Sequence, residues 1–246
     1  MKRPLVLLLT ATIDPGKMGY LQIRDPMVRL RDYEQALRFY LSGPPGPPLI
    51  FCENSGCDLT SIRTIAAEEN PQSRQIEILS FPGNDYPPGL GKGFGEIGIL
   101  SHVLANSRHL PVDALVLKIT GRLKVRNIGS LVFGLNQRPQ IELFCDLRGN
   151  LSWADSRVFA ATVGFLGSHL LPLRDAIDDS RGVTFEHVLA RAAHLALAGG
   201  SLWSMLPVTP EIQGVSATSS ERYPTSWIAR IRRETFRRLK AAILGR

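Results

Sequence analysis

Short apolar runs, rich in leucine, isoleucine and valine, alternate along this chain with longer stretches whose apolar positions recur every three or four residues. The first pattern predicts buried strands and the second amphipathic helices. Residues 5–10 read as the first strand. Residues 25–41 follow as a helix, with Leu30, Tyr33, Leu37 and Tyr40 on one face and Arg29, Arg31, Glu34 and Arg38 elsewhere. The run SGPPGPP at 42–48 ends that helix, because proline and glycine cannot continue it. A second strand at 49–52, a helix at 59–69 and a third strand at 75–80 come next. A glycine-dense loop fills 81–95, and a helix runs over 96–106. Strands are expected at 114–119 and 141–145, a segment that is part strand and part helix at 158–165, and a helix at 184–198. Residues 206–220 read as extended. Strands and helices in alternation, joined by short links, predict an α/β fold with a mostly parallel sheet covered by helices on both faces.

With 246 residues, 44% of them hydrophobic and 21% charged, the chain is long enough for a globular core. One α/β domain over 1–222 and a separate basic tail over 223–246 are expected. The apolar stretch near the start is too short for a signal peptide, and no run reaches the length of a membrane span. Cys52, Cys57 and Cys145 lack metal-site spacing and predict buried free thiols in a reducing cytoplasm. Net charge is +7, placed unevenly. After residue 225, Arg230, Arg232, Arg233, Arg237, Arg238, Lys240 and Arg246 stand against Glu234 alone, so nearly the whole excess lies in the tail. The near-neutral body argues against nucleic-acid binding. The tail places Trp227, Ile228, Ile231 and Leu239 on one side of a helix with arginines opposite, a pattern suited to an anionic membrane surface.

The chemistry centres on residues 115–127, LVLKITGRLKVRN, an apolar strand that ends in Lys118, Thr120, Gly121 and Arg122. In open α/β sheets ligands bind at the carboxyl ends of the strands, so this turn is expected to grip an anion in a crevice. Lys92, inside the glycine loop, is expected to close over the same anion at a helix N-terminus. The loop is neither a Walker motif, since Lys92 is followed by Gly93, nor a dinucleotide fingerprint, which should follow the first strand. Glu53 and Asn54, at the end of the second strand, are placed to hold a nucleoside or sugar. Glu96, Asp155 and Glu186 are the candidate general bases, with Glu186 favoured. No histidine cluster has a metal signature, and no serine sits in a nucleophile elbow.

Taken in order, LLTATI, DPMVRLRDYEQALRFYL, IFCENSGCDL, GKGFGEIGIL and LVLKITGRLKVRNI resemble segments of small bacterial glycosyltransferase-like proteins of capsule and lipopolysaccharide synthesis. DSRVF, FEHVLA and PVTPEIQGVSAT are consistent with that pattern. The resemblance implies a GT-A-like fold, a nucleotide-sugar donor and a lipid-linked or growing surface-polysaccharide acceptor. It also implies transfer in the cytoplasm, and the basic tail adds an expected peripheral place at the inner face of the plasma membrane. The chain departs from the common GT-A pattern in having no DxD motif, which leaves the use of a divalent metal open. Without that metal, Lys118, Arg122 and Lys92 would neutralise the leaving diphosphate. The alternatives are a nucleotidyltransferase on a similar sheet and a non-catalytic, membrane-recruited assembly partner.

Overall fold

The computed structural model describes residues 3–19, 21–148 and 150–214. The tail at 223–246, with its expected membrane contact, lies outside them.

Seven strands form one sheet. β1 (Leu5–Ala11), β2 (Leu49–Glu53), β3 (Ile76–Ser80) and β4 (Leu115–Thr120) are parallel and lie in the order β3-β2-β1-β4. β9 (Val158–Thr162) joins β4 antiparallel and carries β6 (Leu143–Phe144), which in turn pairs with β10 (Trp203–Ser204). The fold is therefore the expected α/β class with a mostly parallel sheet. β1 is central, buried along its whole length, and its residues alternate between two apolar layers. Val6 and Leu8 pack with Ile97, Leu100 and Val103 of α3 (Gly91–Asn106) and with Val188 and Leu189 of the helix at Phe185–Ala198. Leu5, Leu7 and Leu9 pack on the other side against Tyr33 and Leu37 of α1 (Pro26–Leu41), Ile62 and Ile65 of α2 (Thr60–Glu68), and Leu131 and Leu135 of α4 (Ile128–Asn136). Helices thus cover both faces.

Local signals set several boundaries. The Asp25 side chain accepts from the N–H groups of Met27 and Val28, and Pro26 opens α1. Cys52 and Cys145 are buried, Cys57 is half-buried, and all three are free thiols. Burial, with Glu53 and Glu77 nearby, pushes the Cys52 thiol up to about 12, so it is an inert core residue.

Two expectations need correction. α3 begins at Gly91, so the second half of the glycine loop is helix. The expected strand at 141–145 is only two residues long. The extended segment past 206 contributes β11 (Ile212–Gln213), paired antiparallel with β5 (Lys124–Val125). A small hairpin of β7 (Leu147–Arg148) and β8 (Trp153–Ala154) precedes β9. After β9 the chain turns through α5 (Val163–Phe165) before reaching α6 (Phe185–Ala198).

Candidate functional site

A cleft of about 380 Å³ opens at the carboxyl ends of β1 and β4. Its floor is Thr10, Ala11 and Thr12 from β1 and the turn after it, and Thr120 from β4. Five cationic side chains reach it, Arg29, Lys92, Arg122, Arg148 and Arg157, against three carboxylates, Glu96, Asp155 and Glu186. Met18, Leu21, Tyr33 and Trp153 supply apolar wall. This is the switch-point crevice expected of an open α/β sheet.

Of the expected residues, Lys92, Glu96, Thr120, Arg122, Asp155 and Glu186 meet here. Lys118 lies beneath the cleft rather than in it. It is fully buried, its ammonium forms an ion pair with Glu96, and it donates to the Ser156 carbonyl at 2.7 Å and to Thr120 Oγ1 at 3.2 Å. Strand alternation is the reason: Leu117 and Ile119 face the α1 side, so Lys118 points toward α3. With its charge matched by Glu96, Lys118 serves as a structural post.

Glu53 and Asn54 are also fully buried and do not line the cleft. Glu53 accepts from the N–H groups of Ile13 at 3.0 Å, Ser55 at 2.8 Å and Gly56 at 3.0 Å, and from the Ser55 hydroxyl. Asn54 Oδ1 accepts from Thr12 Oγ1 at 2.6 Å, and its amide donates to the Gly95 carbonyl at 3.3 Å. The two residues therefore fix the Thr12–Ile13 backbone that floors the site, and do not contact its contents. Gly121 has a similar role. A Cβ there would meet the Thr10 carbonyl oxygen at 2.6 Å, and only glycine lets the ends of β1 and β4 approach so closely.

The first turn of α3 likewise differs from a mobile anion loop. Gly91 (φ +75°) packs directly on the Asp179 carboxylate, a Cβ on Gly93 would lie 2.7 Å from Phe185 Cβ, and one on Gly95 would lie 2.5 Å from Tyr86 Oη. The Lys92 backbone N–H bonds to Asp179. The helix N-terminus therefore already holds one of the chain's own anions. Burial raises the Asp179 carboxyl above its ordinary value, while Lys92 pulls it down. What reaches the cleft from this segment is the Lys92 side chain.

Asp155, Ser156 and Arg157 tie the site together. Arg157 holds Asp155 through Nε to Oδ1 at 2.8 Å and through a second guanidinium nitrogen to Oδ2 at 2.5 Å. Arg148 donates to the same Oδ2 at 2.5 Å. Burial works to raise the Asp155 carboxyl, but Arg157 and Arg148 overcome it and hold the group below the usual aspartate range. A carboxylate so engaged is a poor base. Ser156 uses both its polar groups: its carbonyl accepts from Lys118, and its hydroxyl donates to Glu186 Oε1 at 2.7 Å.

Glu186 sits in the first turn of α6, where the helix dipole favours its charge. Burial pushes its carboxyl up, yet the hydrogen bonds from Ser156 and Thr184 prevail and keep it below the ordinary value. Of the three candidate bases, Glu96 is paired with Lys118 and Asp155 is gripped by two arginines. Glu186 is held instead by the hydroxyls of Ser156 and Thr184.

Two residues that the sequence reading did not assign to the site, Arg29 and Trp153, also line the cleft. Arg29 is buried, its guanidinium donating to the carbonyls of Thr12 at 2.8 Å and Ile23 at 3.2 Å. It also donates to Tyr33 Oη at 3.3 Å, one turn further along α1, but its backbone partners lie outside the helix and leave no periodic signal. Trp153 lies under the Arg148 guanidinium, 5.3 Å from ring centre to Cζ.

Among the described residues no group of three His, Cys, Asp or Glu side chains converges as metal ligands. The cleft carboxylates are each engaged by a cation or a hydroxyl. This donor set does not fit a divalent ion held by the protein. Nor, among the described residues, is any helix long and apolar enough to cross a membrane.

No protein-family model matches the chain, and no curated protein does. Solved structures do. The glycosyltransferase GlyE of Streptococcus pneumoniae TIGR4 is 12% identical, with a TM-score of 0.48, over 84% of this chain and 45% of its own. TarS 1–349 of S. aureus, in complex with UDP, is 11% identical with a TM-score of 0.46, over 88% and 61%. A 4-diphosphocytidyl-2C-methyl-D-erythritol synthase is 10% identical with a TM-score of 0.40, over 94% and 98%. The chain thus spans less than half the length of the pneumococcal enzyme.

Proposed function

We propose that the protein is a GT-A-like glycosyltransferase, moving a sugar from a nucleotide-sugar to a hydroxyl of a lipid-linked or growing surface polysaccharide. The observation that carries this reading is the cleft at the ends of β1 and β4, where five cationic side chains outnumber three carboxylates and one of these, Glu186, is held by the hydroxyls of Ser156 and Thr184. The nucleoside lies against Ala11, Thr12, Met18, Leu21 and Tyr33 on the β1 side. Arg122 and Lys92 face the diphosphate. Glu186 takes the proton from the acceptor hydroxyl as that oxygen bonds to the sugar carbon and the carbon–phosphate oxygen bond breaks. The negative charge that develops on the leaving diphosphate is met by fixed cations, which favour the transition state over the ground state. No step is assigned to a metal, because the carboxylates present do not form a site for one. The basic tail supplies peripheral attachment to an anionic membrane face in this reading, on the strength of its sequence pattern alone.

The test is product analysis of the purified chain incubated with UDP-, GDP- and CMP-sugars. Release of the free nucleotide, with water as a slow acceptor, supports sugar transfer. Pyrophosphate release from a nucleoside triphosphate and a sugar phosphate, with no turnover of nucleotide-sugars, assigns the cleft to nucleotidyl transfer instead.

A further inference from the structure

We infer that the β7–β8 hairpin carries a separate subsite for an anionic group on the acceptor saccharide, formed by Arg148 over Trp153. The inference rests on the sugar-transfer reading above. Asp155 has both oxygens engaged by Arg157 through two donors, which is enough to neutralise a buried carboxylate. Arg148 is a second guanidinium on Oδ2, with its side chain 51% exposed and its Cζ 5.3 Å from the centre of the Trp153 ring. As a structural bridge it is redundant. Half-exposed on the cleft wall and using one nitrogen on Asp155, it has further N–H donors to offer a carboxylate or phosphate. Trp153 adds an apolar face beside it, suited to a sugar ring.

The location assigns the subsite to the acceptor rather than the donor. Asp155, which anchors Arg148, directly precedes Ser156, whose hydroxyl holds Glu186. A group bound on Arg148 is therefore tied through one dipeptide to the base that must meet the acceptor hydroxyl. The donor cations, Lys92 and Arg122, come from α3 and the turn after β4.

Isothermal titration of the full chain tests this, with glucose 1-phosphate and galacturonate as the two anionic probes and methyl glucoside as the neutral one. Binding of at least one anionic probe, with methyl glucoside weaker, is expected, and which of the two binds identifies the group as phosphate or carboxylate. Arg148→Ala should weaken that probe about tenfold, as befits loss of one charge-assisted fork. Arg148→Lys should recover only part, and Trp153→Ala should weaken it independently. Nucleotide binding should be unchanged in Arg148→Ala, which also reports that this variant is folded. Equal binding of charged and neutral sugars, no binding of either anion, or an unchanged affinity in Arg148→Ala overturns the inference. Absence of nucleotide binding by the wild type would instead count against the sugar-transfer reading, whatever the anionic probes do.

Discussion

Ser156 shows how one side chain sets the chemistry of its neighbour. Its hydroxyl and that of Thr184 hold the Glu186 carboxylate below the ordinary glutamate value of 4.5, against the opposing effect of burial. A base with a lowered pKa stays ionised to lower pH, so the acid limb of turnover should lie below 4.5. Ser156→Ala removes one of the bonds that favour the charged form, and the acid limb should move to higher pH. An unmoved limb would separate Glu186 from the proton transfer. Glu186→Gln should lower turnover by roughly 100-fold or more while leaving nucleotide binding intact, as loss of a general base does. Lys118 and Glu96 form the second residue-scale unit, a pair whose lysine is fully buried. Removing one partner by Lys118→Met leaves a carboxylate without its cation and should cost about 3–5 kcal/mol in urea denaturation. Lys118→Met combined with Glu96→Leu should cost clearly less, because no charge is then stranded.

At the level of elements, α3 is where the sequence misleads most. Gly91, Gly93 and Gly95 read as a flexible loop, because three glycines in five residues carry no helical signal. Each is instead required where another element presses on the helix: the 179–181 turn on Gly91, α6 on Gly93, and Tyr86 on Gly95. Such demands come from packing partners distant in sequence, and no local pattern holds them. Gly98, on the same helix, has nothing within 4 Å of its would-be Cβ. Gly98→Ala should therefore stabilise the protein by about 0.5–1 kcal/mol, and Gly93→Ala should destabilise it by about 1–3 kcal/mol, measured by chemical denaturation. Similar effects from both substitutions would contradict this account of the helix. β1, β2 and β4 were legible because continuous burial makes them continuous apolar runs. The strands β5, β7, β8 and β10 are two residues each and leave no periodicity to read. α4 was missed because its sequence, IGSLVFGLN, mixes glycines with an apolar run.

For the molecule as a whole, the α/β class and the place of the cleft followed from the order of elements, while the roles of individual residues did not. Glu53, Asn54 and Lys118 stand at the ends of the right strands, yet all three are turned inward to hold the floor. Sequence position gives the strand end but not which way a polar side chain points once a buried partner competes for it. Whole-molecule stability should also follow these carboxylates. Asp155, Glu186 and Glu77 are held below their ordinary values in the fold. A depressed folded value contributes stability that is present above the unfolded value and lost as pH falls through the folded one. Asp32 and Asp179, raised mainly by burial, act in the opposite sense and offset part of that loss. The melting temperature should accordingly fall as pH drops below about 4, and Asp155→Asn should flatten that dependence.

The most direct measurement is a thermal-shift screen of the wild type and Arg122→Ala against UDP, GDP, CMP and their sugars. A ligand at 100 times its Kd adds about 2.7 kcal/mol of stability, enough for a clear rise in melting temperature. The account predicts a selective shift with one nucleotide family in the wild type and its loss in Arg122→Ala, with the melting temperature of the unliganded variant near that of the wild type. No shift with any of these ligands, or an undiminished shift in Arg122→Ala, would contradict the assignment of this cleft to a nucleotide-sugar.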